Sequence, residues 1–130
     1  MLLSELDIKA RTVYGEARNQ SYQGMLAVAY VIRNRNKAGG KDNTIAKTCL
    51  RHLQFSCWNA GDPNLTAMLN VTLSDKRFRQ CMMACLEAVD GIDITFGARH
   101  YHTKAISPPW AKSKKPCVAI GDHLFYNNID

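Results

Sequence analysis

Glu16 is the side chain whose type and setting best fit acid catalysis. It is one of only three glutamates in 130 residues, and it follows Tyr14 and Gly15 at the end of an apolar-periodic segment. General acid catalysis requires a carboxylic acid partly withdrawn from water, and an adjacent glycine leaves room for a ligand. The alternative is an ordinary ion pair with Arg18 or Lys9 on a helix surface, because perturbed carboxylates are a minority.

Aromatic residues form a second set of candidate ligand-binding side chains. Trp58 lies in a polar segment with Phe55 and Ser56 rather than in a helical pattern. Aromatic rings in loops around a carboxyl suit a sugar chain, because a ring face covers the C–H face of a pyranose. The alternative is that most of these rings belong to the core. The full set comprises Tyr14, Tyr22, Phe55, Trp58, Tyr101, Trp110, Phe125 and Tyr126.

A histidine cluster offers a third chemistry. His100 and His102 are two residues apart on a predicted strand and so share one face, and His123 lies on the predicted partner strand. With a cysteine or Asp122, these side chains would suffice for a zinc site. The sequence has no HExxH and no CxxC motif to support zinc. Hydrogen-bonded polar groups are the more common role, so we predict no metal and no other cofactor.

Length, charge and cysteine content limit the class of protein. A chain of 130 residues, 46% of them apolar, has the size and composition of one globular domain, residues 1–130. The net charge of +6 favours a polyanionic partner, either nucleic acid or the anionic bacterial cell wall. Five cysteines are an odd number, so we expect free thiols in a reducing compartment rather than a disulfide framework.

The sequence predicts neither a membrane span nor an export signal. The longest apolar run, Met25 to Ile32, is far shorter than a bilayer crossing, so we expect no stable membrane insertion. Residues 1–7 do not combine a basic segment with an apolar one. We therefore expect synthesis in the cytoplasm without a signal peptide.

The periodicity predicts helices first and a small antiparallel β-hairpin or sheet at the C-terminal end, which together make an α+β domain. Ser4, Ser21 and Ser74 are the predicted caps of the first, second and last helices. The second helix is apolar all round and is therefore expected to be central. The predicted helices span residues 4–17, 21–37, 44–51 and 74–91, a loop covers 54–66, and strands cover 95–102 and 117–126.

Helical geometry places Glu16 at the edge of the predicted core. Leu6, Ala10, Val13 and Ala17 form an apolar stripe on the first helix. At a rotation of about 100° per residue, Glu16 lies roughly 90° from the centre of that stripe. Partial burial at such a position raises the pKa of a carboxyl group.

Four segments, spread over nearly the whole chain, match the motif order of one protein family. They read VYGEAR at 13–18, QGMLAVA at 23–29 followed by VIRNR at 31–35, QFSCW at 54–58, and IGDHLFY at 120–126. In these segments the chain resembles the bacterial cell-wall hydrolases related to the spore cortex-lytic enzyme. The stretch between Gly97 and Pro116, which includes a lysine-rich loop, departs from the family pattern.

The resemblance implies a lysozyme-like α+β fold and cleavage of the glycan strands of peptidoglycan, with Glu16 as the catalytic acid. Several relatives are lytic transglycosylases, whose reaction needs no second carboxylate. If a second carboxylate takes part, Asp62 is the best candidate, although its Gly-Asp-Pro turn also explains this residue. The predicted substrate-binding residues are Tyr14, Phe55, Ser56, Trp58, Tyr101 and His123.

A small, basic, wall-lytic enzyme without a signal peptide looks like a bacteriophage endolysin. Such a protein stays in the cytoplasm until a separate pore-forming protein releases it onto the cell wall. We predict a monomer that binds peptidoglycan and not nucleic acid. Two alternatives remain open: a zinc-dependent peptidoglycan amidase that uses the histidines, and a non-enzymatic basic nucleic-acid-binding domain.

Overall fold

The chain folds as a helical body followed by a small antiparallel sheet, which confirms the predicted α+β class. The computed structural model describes residues 2–41, 43–51 and 55–129. The described helices are α1 (Leu3–Ala17), α2 (Tyr22–Ala38), α3 (Ile45–Leu50), α4 (Leu65–Asn70) and α5 (Lys76–Glu87), with short 3-10 helices at Ser56–Trp58 and Pro109–Ala111. The strands are β1 (His100–Thr103), β2 (Val118–Ile120) and β3 (His123–Tyr126).

The helix α2 is the centre of the fold, as its sequence predicts. Residues 24–32 are all buried. One side of α2 packs in the main helical core, and the other side, through Ala27 and Val31, packs against Ala98 and Phe125 from the sheet region. None of the described helices is long and apolar enough to cross a membrane.

The helix starts agree only partly with the predicted caps. Ser21 caps α2 as predicted, but α1 begins at Leu3 without a side-chain cap, so the prediction for Ser4 is wrong. The helix α5 is capped by Asp75 rather than by Ser74. A carboxylate at this position accepts the backbone hydrogen bond and also carries the charge that a helix N-terminus favours.

Two element boundaries also differ from the sequence pattern. The helix α5 ends at Glu87, before the predicted stop at Gly91. The predicted loop 54–66 contains the Ser56–Trp58 helix and the start of α4, while its first residue, Gln54, lies outside the described residues. The short helix predicted at 44–51 is confirmed as α3.

The sheet is built differently from the predicted pair of long strands. The first strand begins only at His100, because the Asp93 carboxylate accepts hydrogen bonds from the backbone N–H groups of Thr95 and Gly97 and holds that segment in a turn. The second predicted strand is divided at Gly121, whose φ of +57° suits glycine. The resulting strands β2 and β3 form a hairpin, and β1 pairs antiparallel with the other edge of β3.

The register of the sheet separates two sets of side chains. Tyr101 on β1 lies opposite Phe125 on β3, two residues from His123. Because successive side chains point to opposite faces of a sheet, Tyr101, Phe125 and His123 share one face. His100 and His102 lie on the other face.

The cysteines act as small core residues. Cys49, Cys57, Cys81 and Cys85 are buried free thiols, and Cys117 is a partly buried one. Burial raises the pKa of Cys49 to about 11. It raises that of Cys81 to about 12, so both remain neutral thiols that pack like small apolar groups.

Candidate active site

The Glu16 carboxyl lies near the end of α1, on the wall of a cavity of about 440 Å³. Glu16 is half-buried between the buried residues Gly15 and Ala17, which confirms its predicted position at the edge of the core. The cavity opens between the end of α1, the end of β1 and the β2–β3 turn. It is lined by Glu16, Asn19, Gln20, Thr103, Lys104, Ala105, Asp122 and His123.

Tyr101 holds the Glu16 carboxyl from the side of the sheet. Its hydroxyl donates a hydrogen bond to Glu16 Oε1. The Tyr101 ring packs against Phe125 and His123, with ring centroids 5.6 Å and 5.1 Å away, and this packing fixes the hydroxyl. Burial, followed by the nearby Glu16, raises the pKa of Tyr101 well above its usual value, so the hydroxyl remains a donor. Tyr101 therefore contacts the Glu16 carboxyl from the sheet, and its side chain does not line the cavity.

The pKa of Glu16 is raised, and burial is the largest cause. Three groups act in the opposite direction and favour the carboxylate: the Tyr101 hydroxyl, the Cys57 thiol and the positive charge of Arg35. Burial outweighs them, so Glu16 keeps its proton to a higher pH than a surface glutamate does. A raised pKa is the property that a general acid needs.

The alternative of a surface ion pair for Glu16 is wrong. Lys9 is almost fully buried, and the Arg18 guanidinium lies over the Tyr14 ring, 5.2 Å from its centroid. In the described part of the chain, neither cation forms an ion pair with Glu16. The Glu16 carboxyl is instead hydrogen-bonded to Tyr101 and lines the cavity.

Gly15 leaves room for the protein's own side chains and not for a ligand, contrary to the expectation from sequence. A Cβ on Gly15 would lie 2.8 Å from Met68 Sδ and 2.9 Å from Cys57 Cβ. The absence of a side chain lets α1 pack directly on the Ser56–Trp58 helix. This close approach brings the buried Cys57 thiol near Glu16, where the thiol favours the carboxylate form.

The second carboxyl at the cavity is that of Asp122, not Asp62. The Gln20 amide donates to Asp122 Oδ2 over 3.1 Å, and the Asp122 backbone N–H donates to Gln20 Oε1 over 3.1 Å. These bonds tie the β2–β3 turn to the end of α1. The adjacent Gly121 is required, since a Cβ there would lie 2.6 Å from Gln20 Oε1. Asp62 does not line the cavity, and it accepts a hydrogen bond from the Asn64 backbone in its own turn. Its charge adds to burial in raising the pKa of Glu16, so a part for Asp62 in the reaction stays a prediction.

Sequence reasoning missed several polar residues of the cavity wall. Asn19 and Gln20 stand out in the sequence only as a break in the helical pattern, and Lys104 has no motif around it. The Gln20 amide is a buried polar group whose partner, Asp122, is 102 positions further along the chain. No local pattern reveals such a pair. Asp122 could have been found from its place in the IGDHLFY segment.

Two predicted substrate-binding residues lie in the core. Tyr14 packs edge to face on Phe78, with ring centroids 5.9 Å apart. Phe55 is buried beneath the Arg35 guanidinium, which lies 4.6 Å from the centre of its ring. Neither side chain lines the Glu16 cavity. Their role in substrate binding stays a prediction that these positions do not support.

The other predicted residues lie on β3 and in the Ser56–Trp58 helix. His123 lines the cavity, and its Nδ1 is buried without a hydrogen-bond partner among the described residues. Burial lowers the pKa of His123, so its ring is neutral near pH 7. Ser56 is exposed and Trp58 is half-buried, with its indole N–H donating to Thr12 Oγ1 over 2.9 Å. Both belong to the short helix that packs on Gly15.

The geometry contradicts the zinc alternative. His100 and His102 both pack against Trp110, with ring centroids 5.5 Å and 5.6 Å away, and His123 lies on the opposite face of the sheet. His102 Nε2 also lies 2.8 Å from the Tyr126 hydroxyl. No set of side chains in the described ranges has the arrangement of a metal site. The two histidines instead pack with Trp110, which belongs to the loop that departs from the family pattern.

The chain belongs to the cell wall hydrolase family, which matches residues 19–126. This confirms the family predicted from the four segments. The chain is 28% identical over 123 residues to a spore cortex-lytic enzyme of Bacillus subtilis (strain 168), covering 94% of this chain and 37% of that protein. It is 30% identical over 125 residues to a spore cortex-lytic enzyme of Halalkalibacterium halodurans, covering 95% of this chain and 35% of that protein.

Two solved structures share the fold. The catalytic domain of the Bacillus cereus SleB protein superposes with a TM-score of 0.78 at 25% identity, covering 96% of this chain and 91% of that domain. The catalytic domain of the germination-specific lytic transglycosylase SleB from Bacillus anthracis superposes with a TM-score of 0.76 at 26% identity, covering 97% of this chain and 96% of that domain. The predicted lysozyme-like α+β fold is therefore confirmed. The chain spans little more than a third of the two curated enzymes and nearly all of these catalytic domains.

Proposed function

We propose that this chain cleaves the glycan strands of peptidoglycan and that Glu16 is its general acid. The observation that carries the proposal is the half-buried Glu16 carboxyl on a cavity wall, with its pKa raised by burial and its Oε1 held by Tyr101. The family supports the glycan-cleaving part of this proposal, since its relatives include spore cortex-lytic enzymes and a lytic transglycosylase. Because both cores share α2, we treat residues 1–130 as one catalytic domain.

The first step of the proposed reaction is proton donation. Protonated Glu16 gives its proton to the oxygen that links N-acetylmuramic acid to N-acetylglucosamine. The glycosidic bond breaks through an oxocarbenium-like transition state, and the leaving sugar departs with the proton. The raised pKa increases the fraction of Glu16 that holds its proton before the step.

The second step uses the same side chain as a base. Ionised Glu16 takes a proton either from water, giving a reducing sugar, or from the 6-hydroxyl of the muramic acid, giving a 1,6-anhydro ring. The Tyr101 hydroxyl, the Cys57 thiol and Arg35 all favour the carboxylate, so they stabilise Glu16 at this stage. We favour the 1,6-anhydro product, because that route needs no second carboxylate and the Asp122 carboxylate is already engaged by Gln20.

The direct test of Glu16 is the variant Glu16→Gln, which keeps the shape of the side chain and removes its acid. We expect lysis of purified peptidoglycan to fall by at least about 100-fold, the size of a general acid contribution. Glu87→Gln is the matched control, because Glu87 is an exposed glutamate that accepts a hydrogen bond from Tyr22 away from the cavity. Near-normal lysis by Glu16→Gln, with a normal circular dichroism spectrum, would refute the assignment.

The product distinguishes the two forms of the second step. Mass spectrometry of digested peptidoglycan detects a 1,6-anhydro muramic end as a product lighter by one water than the reducing sugar. We expect the lighter product. A reducing end would mean that water is the acceptor, and Asp122→Asn would then test whether the second carboxyl of the cavity activates it.

The biological setting stays a prediction. A bacteriophage endolysin made in the cytoplasm and released by a separate pore-forming protein agrees with the positive charge of the chain. The monomeric state and the absence of nucleic-acid binding are likewise predictions. The net charge of +6 is expected to attract the enzyme to an anionic wall, and this attraction weakens as salt is added.

A further inference from the structure

A second cavity, of about 580 Å³, involves α1, α2 and α3. It shares no lining residue with the Glu16 cavity. Lys9 lines it and lies on α1 two turns before Glu16, which is about 10 Å along the helix axis. The catalytic proposal makes no use of this cavity.

Lys9 is an unusual residue for the interior of a small protein. Its side chain is 2% exposed, yet in the described part of the chain its ammonium has no carboxylate partner and donates no hydrogen bond. Buried lysines are rare unless they are paired, because an uncompensated charge is costly to remove from water. Burial lowers the pKa of Lys9, as expected for an ammonium group without a counter-charge.

Arg33 supplies a second positive charge at the same cavity. Its NH1 group donates to the carbonyl oxygens of Ala88 and Gly91, both over 3.1 Å, and these bonds fix the guanidinium. Its Nε is buried and has no partner among the described residues. Because this Nε has no accessible surface, a ligand in the cavity meets the Lys9 ammonium, and the Arg33 guanidinium adds a second positive charge to the lining.

Apolar side chains lie where the cavity meets solvent, together with the exposed Lys37. Leu2 and Val89 also line the cavity and are 71% and 52% exposed, so they form its mouth, whereas Lys9 lies at its inner end. The Glu5 carboxyl lines the cavity too, but its Oε2 accepts a hydrogen bond from the Ala46 backbone over 2.6 Å and is occupied by α3.

We propose that this cavity binds a small carboxylate that carries a short apolar chain. The carboxylate pairs with the Lys9 ammonium beside the positive charge of Arg33, and the apolar chain extends to Leu2 and Val89. The volume of about 580 Å³ is within the range of small-molecule sites. The ligand is different in class from the glycan that we propose for Glu16, and the two sites are independent.

Hexanoate is the probe for this site. Hexanol is the control that lacks the negative charge, and acetate is the control that lacks the apolar chain. We expect hexanoate at ten times its dissociation constant to raise the Tm by about 3 °C or more, and the other two at the same concentration to have little effect. Lys9→Met is expected to abolish the hexanoate shift, whereas the control Lys76→Met, at an exposed lysine outside the cavity, retains it.

A second variant covers the case in which Lys9→Met does not fold. Val89→Glu places a negative charge at the exposed mouth of the cavity and is expected to weaken hexanoate binding at least 10-fold. The Lys9 ε-methylene signals of the unmodified protein should also shift on titration with hexanoate. The proposal is overturned if hexanol stabilises as well as hexanoate, if both variants bind hexanoate normally, or if the Lys9 signals do not move.

Discussion

The hydrogen bond from Tyr101 to Glu16 makes the sharpest prediction about the active site. Tyr101→Phe removes the hydroxyl and keeps the ring, so packing against Phe125 and His123 is retained. The hydroxyl is one of the groups that favour the Glu16 carboxylate. Its loss therefore raises the pKa of Glu16 further and leaves the carboxyl less firmly oriented.

The size of the effect follows from the value of a hydrogen bond to a charged group, about 1.5–3 kcal/mol. The protonated acid also accepts a hydrogen bond from Tyr101, so only part of this energy distinguishes the two protonation states. Since one pKa unit corresponds to about 1.4 kcal/mol, we expect the pKa of Glu16 to rise by about one unit. A less oriented acid should also lower kcat by roughly 10-fold.

The assay is the pH dependence of kcat/KM on soluble peptidoglycan fragments, together with a carbon NMR titration of the Glu16 carboxyl. Activity that needs protonated Glu16 falls as pH rises through its pKa. The midpoint of this fall is expected to move up by about one pH unit in Tyr101→Phe. Tyr126→Phe is the control, because Tyr126 is a buried tyrosine of the same sheet whose hydroxyl contacts His102.

One result would refute this reasoning. If Tyr101→Phe raises KM while the midpoint and the NMR titration stay unchanged, Tyr101 binds substrate, as the sequence predicts, and does not position Glu16. A shift of equal size in Tyr126→Phe would also count against it, because the effect would then be general to the sheet.

Two further predictions concern stability. Because burial raises the folded-state pKa of Glu16, its stabilising contribution is complete below its unfolded pKa, about 4.3, and is lost as pH rises through the folded value. Glu16→Gln should therefore raise the Tm more at pH 8 than at pH 4, and an equal change at both would contradict the raised pKa. Gly15→Ala should destabilise the protein by about 1–3 kcal/mol in urea unfolding, because the new methyl overlaps Met68 and Cys57. Unchanged stability would show that α1 and the Ser56–Trp58 helix separate easily.

Local patterns were sufficient to predict most of the helical body. The all-round apolar run at residues 24–32 fixed α2 as the central helix, and the cap at Ser21 fixed its start. Periodicity alone placed Glu16 at the margin of the core, since a helix rotates by a constant angle for each residue. These features depend on neighbours within a few positions, which is why they can be read without the fold.

Caps and strand limits were less predictable, because several local options compete. Ser74 and Asp75 are adjacent cap candidates, and the structure uses Asp75. The first strand starts late because Asp93 closes a turn on Thr95 and Gly97, and the same carboxylate accepts a hydrogen bond from Asn34 on α2. That contact depends on where α2 lies and therefore on the tertiary structure.

The sequence by itself determined the family, the central helix and the candidate acid, because all three rest on short segments. Only the tertiary structure decided what surrounds Glu16. Tyr101 is 85 positions away along the chain, and its hydroxyl reaches Glu16 because the register of β1 and β3 turns it toward α1. The same register puts His123 at the cavity and His100 and His102 on the other face, since residues alternate along a strand. The cavity around Glu16 therefore depends on the pairing of strands that are far apart in the sequence. No local pattern predicts that pairing, whereas Glu16 itself could be found from its neighbours.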